Sequence, residues 1–287
     1  MKKIFALMLA IVLLLPLLSG CVEDTPDDSS KQSSETNGVL RISTSPDFAP
    51  MVFVDPTQRG QDQFVGFDIS LAKFIAAELN MELEIMPMDF NACQLAVYAG
   101  TVDMSISGYV WSESRAEQYN LSDSYLAGNS TDRQVLLTLA SHPGRYATAE
   151  DFEGAIVGAQ NTSLQQLLVA EQLPKAELDL FTNLDVAVRM LLAGEIDCLA
   201  VSGGNADALL AANPQLAETE FTFALDSRYL GNVILLRKGN DELTEQVNEI
   251  LEKASQYYDT WYQEARSTAG IQVTYDENGN VVGTPQA

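Results

Sequence analysis

Two stretches of the chain repeat one junction, and this repeat is the feature that most restricts the fold. Residues 99–103 (AGTVD) and 193–197 (AGEID) each join the end of an apolar helical pattern, a Gly and an apolar strand pattern. Each strand then reaches a Ser-Gly pair, at 107–108 and at 202–203. Helix–Gly–strand junctions are common, so coincidence is the alternative. We interpret the match as two halves built on one plan, whose strand ends would meet at a single cleft.

The segments around the repeat alternate between strand and helix patterns. The first series predicts strands at 39–43, 83–86 and 103–107, and helices at 68–79 and 91–99, with Asp68 as an N-cap. A second series begins at residue 134 and closes with a strand at 221–224 and one long helix at 241–266. Alternating strands and helices predict an α/β fold in which helices cover parallel-type sheets.

The charge of the chain limits the kinds of partner. Its 287 residues contain 16 Lys and Arg against 40 Asp and Glu, a formal net charge of −24. Nucleic acid is an unsuitable partner because its phosphates need neutralisation by basic side chains. The single His and the lack of a His/Cys cluster argue against a transition-metal site, and we expect no cofactor. A carboxylate ligand would need a local cation.

The N-terminus has the pattern of a processing segment. Residues 1–20 begin with Lys2 and Lys3, continue as an apolar run and end in Leu-Ser-Gly before Cys21, which resembles the lipobox of bacterial lipoproteins. An ordinary secretory signal is the alternative. We predict a lipoprotein signal peptide at 1–20, lipidation of Cys21, and a disordered acidic linker at 21–37. The body would then be exported and anchored to the outer face of the bacterial cell membrane, periplasmic or at the cell surface.

A candidate carboxylate site follows the strand predicted at 103–107 and a turn predicted at Gly108. Ser112 is placed to cap a short helix whose first turn carries Arg115. Free N–H groups at a helix start and a guanidinium both favour a carboxylate. The alternative is a surface Arg that pairs with Glu113 or Glu117.

Two cysteines remain in the body of the chain, Cys93 and Cys198. Two leftover cysteines in an exported protein could form a disulfide. Because the two residues fall in different halves of the predicted fold, each beside a strand or helix, we predict two buried free thiols instead.

Eight stretches taken together resemble a known family: LRISTSPDFAP, VGFDISLAKFIAAEL, MPMDF, AGTVDMSISG, SESRAEQYNLSDSY, VGAQNTS, LLAGEID and ILLRKGNDEL. They cover about 38–268, in the family's order. The family is the family 3 extracellular solute-binding proteins of polar amino acid ABC importers, which have the type II periplasmic binding protein fold.

The resemblance implies a fold of two α/β lobes with a cleft between them and two hinge crossovers. Lobe 1 would comprise 38–128 plus 229–268, and lobe 2 would comprise 134–225. The crossovers would lie near 128–133 and 226–232. Residues 269–287 would form a C-terminal hairpin, since they contain an Asn-Gly pair, or a loose tail.

The resemblance also implies a ligand site. Two aromatic rings would hold the ligand side chain, a strand end would offer backbone and hydroxyl groups, Arg115 would bind the α-carboxylate, and a lobe 2 serine would complete the site. The corresponding positions in this sequence are Phe48 and Phe90, Ser107 and Gly108, Val110, Arg115, Ser163 and Ser202.

Three of these positions depart from the family pattern. Val110 stands where Thr or Ser is usual, Leu164 stands at the second residue of a polar pair, and Ser202 stands where an Asp usually binds the α-ammonium. Three side chains could substitute: Asn205, Asp89 and Asp47. Otherwise the ligand is not a standard α-amino acid, because a buried unpaired ammonium costs several kcal/mol. We predict a small carboxylate ligand with an apolar or flat portion.

The function implied by the resemblance is binding by clam-like closure, without catalysis. The protein would be the monomeric substrate-binding lipoprotein of an ABC importer, with a membrane permease as its partner. An enzyme similar to cyclohexadienyl dehydratases is one alternative, which would need a cleft carboxylic acid with a raised pKa. Ser202 stands at the expected position of that acid, which leaves Asp47 and Asp89. A ligand-sensing receptor module is the other alternative.

Overall fold

The computed structural model describes residues 37–126, 133–142 and 144–270, and the backbone of two short strands beyond them. The predicted signal peptide, Cys21 and all but the last residue of the predicted linker lie outside the described residues, as does most of the first predicted crossover. Within the described ranges, none of the helices combines the length and the apolar character needed to cross a membrane.

The described chain alternates strands and helices. The strands are β1 Val39–Thr44, β2 Asp47–Phe48, β3 Val52–Val54, β4 Phe64–Val65, β5 Glu82–Pro87, β6 Met104–Tyr109, β7 Tyr119–Leu121, β8 Gln134–Leu139, β9 Ile156–Gln160, β10 Glu177–Phe181, β11 Cys198–Ser202, β12 Leu216–Thr222, β13 Val233–Arg237, β14 Thr274–Tyr275 and β15 Val281–Gly283. The helices are α1 Phe67–Glu78, α2 Phe90–Ala99, α3 Glu113–Gln118, α4 Leu164–Gln172, α5 Leu184–Ala193, α6 Gly203–Ala212, α7 Asp241–Ala254 and α8 Tyr258–Thr268.

Two five-stranded sheets have the same plan. The first has the order β5-β1-β6-β13-β7, and the second has the order β10-β9-β11-β8-β12. In each sheet the first three strands are parallel, and the remaining pairings are antiparallel. All strands of the first sheet come from the predicted lobe 1, and all strands of the second from the predicted lobe 2. The α/β prediction is therefore confirmed.

The repeated junction has the same conformation in both sheets. Gly100 and Gly194 end their helices in the left-handed region, with φ of 70° and 73°. Three residues on, the Asp103 carboxylate accepts a backbone N–H of β1 at 2.7 Å, and the Asp197 carboxylate accepts one of β9 at 2.9 Å. Each acid thus ties the start of the central strand to its parallel neighbour, which fixes where that strand ends.

Each sheet has its own apolar core. Helices α1, α7 and α8 bury Phe67, Ile75 and Ile250 over the first sheet, and α4 and α5 bury side chains over the second. Complete burial of such a side chain contributes about 1.5–3 kcal/mol. Cys93 and Cys198 are free and fully buried, as predicted, and burial raises the pKa of each thiol to about 12.

The prediction that Asp68 caps the first helix is wrong. Helix α1 begins one residue earlier, and its N-cap is Gly66 at φ 119°. A Cβ at Gly66 would lie 2.4 Å from the carbonyl oxygen of Met51, so only Gly fits there. Asp68 is instead fully buried, and its carboxylate accepts the backbone N–H of Gly108 at 2.8 Å and the hydroxyl of Tyr125 at 2.9 Å.

Two other element predictions differ from the structure, and one helix has no counterpart among the predictions. The long helix predicted at 241–266 is divided into α7 and α8 by a short 3-10 turn, Ser255–Tyr257. The strand predicted at 221–224 is β12, which begins five residues earlier and ends at Thr222. Helix α6 was not predicted. At the C-terminus β14 and β15 pair antiparallel, and the Asn-Gly turn predicted between them lies outside the described residues.

Candidate functional site

A cleft is lined by residues of both five-stranded sheets, of β2, and of the loops and first helical turns that follow the strands. Its volume is about 500 Å³, part of it open to solvent. All eight predicted ligand residues line it, together with Leu164. Five lining residues were not predicted: Met51, Gln134, Gln160, Gln165 and Asn232. The roles of the predicted residues as ligand contacts stay predictions.

The end of β6 forms one wall of the cleft. The strand continues through Gly108 to Tyr109. The turn predicted at Gly108 is therefore wrong. Gly108 has φ +61°, and a Cβ there would lie 2.5 Å from Cε1 of the Phe48 ring. Only Gly therefore lets this backbone lie against the Phe48 ring at the cleft wall.

Asp68 supports that wall from behind. It accepts the N–H of Gly108 and has no cationic partner among the described residues. Burial raises the pKa of this carboxyl to about 7, and the hydrogen bonds from Tyr125 and Gly108 oppose that rise. A titratable group therefore lies in direct contact with the cleft backbone.

Arg115 is held in the cleft by hydrogen bonds from its whole guanidinium. Ser112 caps α3, as predicted, by accepting the backbone N–H of Arg115 at 3.2 Å. The Arg115 side chain donates from Nε to Oε1 of Gln94 at 3.3 Å, from Nη1 to the Val110 carbonyl at 2.9 Å, and from Nη2 to the Thr162 carbonyl at 2.6 Å. The last bond joins lobe 1 to lobe 2.

The Arg115 charge lacks an anionic partner in the described part of the chain. The residue is 5% exposed and forms no ion pair there, so the alternative of a surface pair with Glu113 or Glu117 is wrong. Burial lowers its pKa to about 10, and its Cζ lies 5.9 Å and 5.3 Å from the ring centres of Phe90 and Tyr109. Three of the five N–H groups are used, which leaves two for an anion.

Lobe 2 supplies hydroxyl groups at two helix starts. Ser163 caps α4 by accepting the N–H of Gln166 at 3.2 Å, and Ser202 caps α6 by accepting the N–H of Asn205 at 3.4 Å. Both serines line the cleft. Helix N-termini favour anions. Lobe 2 therefore adds uncharged groups that, like Arg115, favour a negatively charged ligand.

None of the three side chains considered as substitutes for the missing family acid lines the cleft. The Asp47 carboxylate accepts the backbone N–H of Leu184 at 2.7 Å across the two lobes, and burial raises its pKa. Asn205 donates from Nδ2 to the Ala49 carbonyl at 3.0 Å, again between the lobes. Asp89 is exposed before α2. The two alternatives, substitution by one of these side chains and a ligand that is not a standard α-amino acid, both stay predictions.

The sequence matches the model of one known protein family. The family model of bacterial extracellular solute-binding proteins, family 3, matches residues 40–264. The chain belongs to this family. The family 3 match extends from β1 into α8 and therefore covers both sheets and the whole cleft.

Individual family 3 relatives are similar over most of their length. A probable histidine-binding protein of Campylobacter jejuni is 25% identical over 252 residues, which are 85% of this chain and 91% of that protein. The arginine-binding extracellular protein ArtP of Bacillus subtilis is 26% identical over 245 residues, 84% of this chain and 91% of that one. The relatives are thus described as binding proteins.

A solved structure agrees in fold. The amino acid ABC transporter substrate-binding protein AbpA from Streptococcus pneumoniae Canada MDR_19A, bound to L-arginine, superposes with a TM-score of 0.74 at 27% identity. The match covers 81% of this chain and 96% of that structure. The two-lobed fold and the solute-binding role expected from the sequence are confirmed.

Proposed function

We propose that this chain captures a small carboxylate or amino acid ligand and delivers it to the permease of an ABC importer. The names of its relatives, which describe histidine- and arginine-binding proteins and an ABC transporter component, support this assignment. In this proposal the leader at 1–20 is removed, Cys21 carries the lipid anchor, and the exported body acts as a monomer.

The observation that carries the carboxylate assignment is the charge on Arg115. The guanidinium is buried, lines the cleft, retains two N–H groups and has no acidic partner among the described residues. A buried charge without a partner is strongly unfavourable, and a carboxylate would satisfy both remaining N–H groups in one bidentate contact. The N-capped helices of lobe 2 would then close on the same anion.

The mechanism is closure of two lobes on the ligand. In this proposal 38–128 with 229–268 forms lobe 1, and 134–225 forms lobe 2. The ligand docks first on Arg115, Phe48 and Phe90 of lobe 1. Ser163 and Ser202 of lobe 2 reach it only in the closed form, and this difference in contacts is what makes the ligand favour closure.

Catalysis is not part of the proposal. The dehydratase alternative requires a carboxylic acid in the cleft, and the described residues that line the cleft include no Asp or Glu. The two remaining candidates, Asp47 and Asp89, lie outside the lining. The arrangement supports binding of an anion and offers no acid for proton transfer to a bound ligand.

The test is calorimetric titration of the lipid-free domain with a broad panel of amino acids and their deaminated analogues. Arg115→Met should weaken the best carboxylate at least about 30-fold, since truncation of one partner of a buried charge pair costs about 2–5 kcal/mol. Arg266→Met is the matched control, because Arg266 is equally buried but pairs with Asp207 at 3.2 Å. Unchanged affinity in Arg115→Met would place the carboxylate site elsewhere.

A further inference from the structure

The cleft offers hydrogen-bond donors to a ligand at several independent points. Ser107 accepts the N–H of Ser45 at 3.0 Å, and Ser163 and Ser202 accept the helix N–H groups described above. Each hydroxyl accepts one backbone bond, which leaves its proton and one uncharged lone pair for a ligand. Together with the two remaining N–H groups of Arg115, the three serines form a wall of donors.

Charged acceptors are missing from the same wall. The carbonyl oxygens of Val110 and Thr162 already accept from Arg115. The side-chain acceptors among the described lining residues are the uncharged oxygens of amides and hydroxyls, with no carboxylate. An ammonium group has three donors and no acceptor, so it suits this wall poorly.

Asn232 adds a donor that lacks a partner. The residue lies in the second predicted crossover, where its backbone pairs with Tyr125. Since Val233 lies opposite Tyr109 in the antiparallel pairing of β13 with β6, Asn232 comes beside Val110, the position at which the family hydroxyl is lost. Asn232 lines the cleft, is 6% exposed, and its Nδ2 is buried without a hydrogen-bond partner.

A buried amide donor without a partner is unfavourable, and a ligand acceptor would recover that cost. The donor wall, the absence of a charged acceptor and the unpaired Nδ2 thus favour one ligand chemistry. We propose that the cleft selects small carboxylates that carry an uncharged oxygen, as a hydroxyl or oxo group, in place of the amino group, and that Asn232 donates to this oxygen. This inference rests on the proposed function, because it assumes that Arg115 binds the carboxylate.

The experiment compares ligands that share a carbon skeleton and differ only at the 2-position. Calorimetry of the lipid-free protein uses the amino acid, the 2-hydroxy acid, the 2-oxo acid and the unsubstituted acid of aliphatic, aromatic and basic skeletons. For the skeleton that binds best, the 2-hydroxy or 2-oxo acid should bind at least about tenfold more tightly than both the amino acid and the unsubstituted acid.

Variants of Asn232 then test the residue itself. Asn232→Leu, similar in size and apolar, should weaken the oxygen-bearing acid about tenfold and change the unsubstituted acid by less than about twofold. Asn232→Ser, which retains a donor, should fall between Asn232→Leu and the wild type. Thermal unfolding of each variant without ligand checks that the fold is kept, and the ligand comparison within one variant is independent of stability.

The outcomes separate the two proposals. Preference for the amino acid, or an equal loss for all four ligands in Asn232→Leu, overturns the inference, and the proposed function stands if Arg115→Met still abolishes binding. Binding of no acid by the wild-type protein overturns both. Loss confined to the oxygen-bearing acid in Asn232→Leu supports the inference.

Discussion

Strands β6 and β11 are preceded by the same junction, but the residues that follow them differ. Both follow a left-handed Gly and an Asp that holds the neighbouring strand, and both reach a Ser-Gly pair. In lobe 1 the N–H of Gly108 is accepted by the carboxylate of Asp68 at 2.8 Å. In lobe 2 the N–H of Gly203 is accepted by the backbone carbonyl of Arg133 at 2.6 Å.

The two strands therefore share the part that positions them and differ in the chemical groups that they bring to the cleft. The shared junction positions two strand ends at one cleft, and the residues after each strand decide what that end offers. Beyond β6 the chain bears a buried Arg115 and is supported by an ionisable acid, whereas β11 runs directly into α6 and offers the uncharged Ser202. Lobe 1 therefore carries the charge of the site, and lobe 2 carries neutral hydrogen-bonding groups.

The largest expected effect concerns the acid that distinguishes the two Ser-Gly ends. A rise in the Asp68 pKa from the usual 3.8 to about 7 corresponds to roughly 4 kcal/mol. Because the folded protein binds this proton more tightly than the unfolded chain, the stabilisation is complete below the unfolded pKa and is lost as pH rises through 7. We expect the free energy of unfolding of Asp68→Asn, measured with urea, to rise by roughly 4 kcal/mol relative to that of the wild type between pH 4 and pH 8.

Other acids with raised pKa values, such as Asp47 and Asp207, change stability in the same direction in both proteins and cancel in that difference. A difference between wild type and Asp68→Asn that stays constant over this pH range would mean that Asp68 is ionised in the folded protein throughout.

Gly108 gives the next largest effect, because it combines backbone and packing constraints. An L-residue at φ +61° costs about 1–2 kcal/mol, and the Cβ at 2.5 Å from Phe48 adds about 1–3 kcal/mol. Gly108→Ala should therefore lower the free energy of unfolding by about 3 kcal/mol and weaken ligand binding, as followed by urea unfolding and calorimetry.

Gly154→Ala is the matched control for Gly108→Ala. Gly154 has φ +73° with open space around its Cα, so Ala there should cost only about 1 kcal/mol and leave binding unchanged. Equal costs at the two positions would show that the Phe48 ring moves away freely and that the cleft wall is less rigid than the structure implies.

The features predicted correctly are those set by residues close in sequence. The Ser112 cap and the Gly ends of the repeated junction follow from local patterns. The same local pattern singled out Arg115 as a candidate, whose role as a ligand contact stays a prediction. Asp68 was misassigned because its partner Gly108 is 40 residues away, so no local pattern could distinguish a helix cap from a strand support. Asn232 was missed for the same reason, since the pairing of β13 with β6 brings it to the cleft.

The predictions of helices were wrong where packing overrides the intrinsic helix preference of the residues. Helix α6 opens with Gly203 and Gly204, which disfavour helix, yet both are buried and Ser202 caps the start. The break between α7 and α8 lies in a run that is helical by pattern alone. There Tyr257, Tyr258 and Trp261 pack with each other and with the aromatic residues of α1, which gives a physical reason for a change of direction.

The paired acids of the junction test whether the two halves are energetically equivalent. Asp103→Ala and Asp197→Ala each remove a charged acceptor from one backbone N–H, which should cost about 2 kcal/mol in urea unfolding. Asp→Asn keeps an acceptor oxygen and should cost less than about 1 kcal/mol at either position. The pair of Asp197 with Arg145 at 3.8 Å is exposed and adds little. Costs that differ by more than about 1 kcal/mol would show that the junctions share geometry without sharing energetics.

The smallest expected effect lies at the Gly that precedes each acid. Gly100→Ala and Gly194→Ala place an L-residue at nearly equal positive φ, so each should cost about 1 kcal/mol. Around Gly194 there is open space, whereas a Cβ at Gly100 would lie 2.9 Å from Nη1 of Arg237, the mobile end of an exposed side chain. Gly100→Ala should therefore be the costlier of the two by only a few tenths of a kcal/mol.

Thermal and urea unfolding of both Gly variants, each beside its Gly→Asn counterpart, make this comparison. Asn tolerates the left-handed region better than Ala and should recover part of the loss at both sites. If Asn recovers stability only at Gly194, contact with Arg237 rather than backbone conformation limits Gly100, and the two junctions are alike in backbone but not in surroundings. Equal recovery would attribute both losses of stability to the positive φ alone. The two halves would then differ only in the residues that follow β6 and β11.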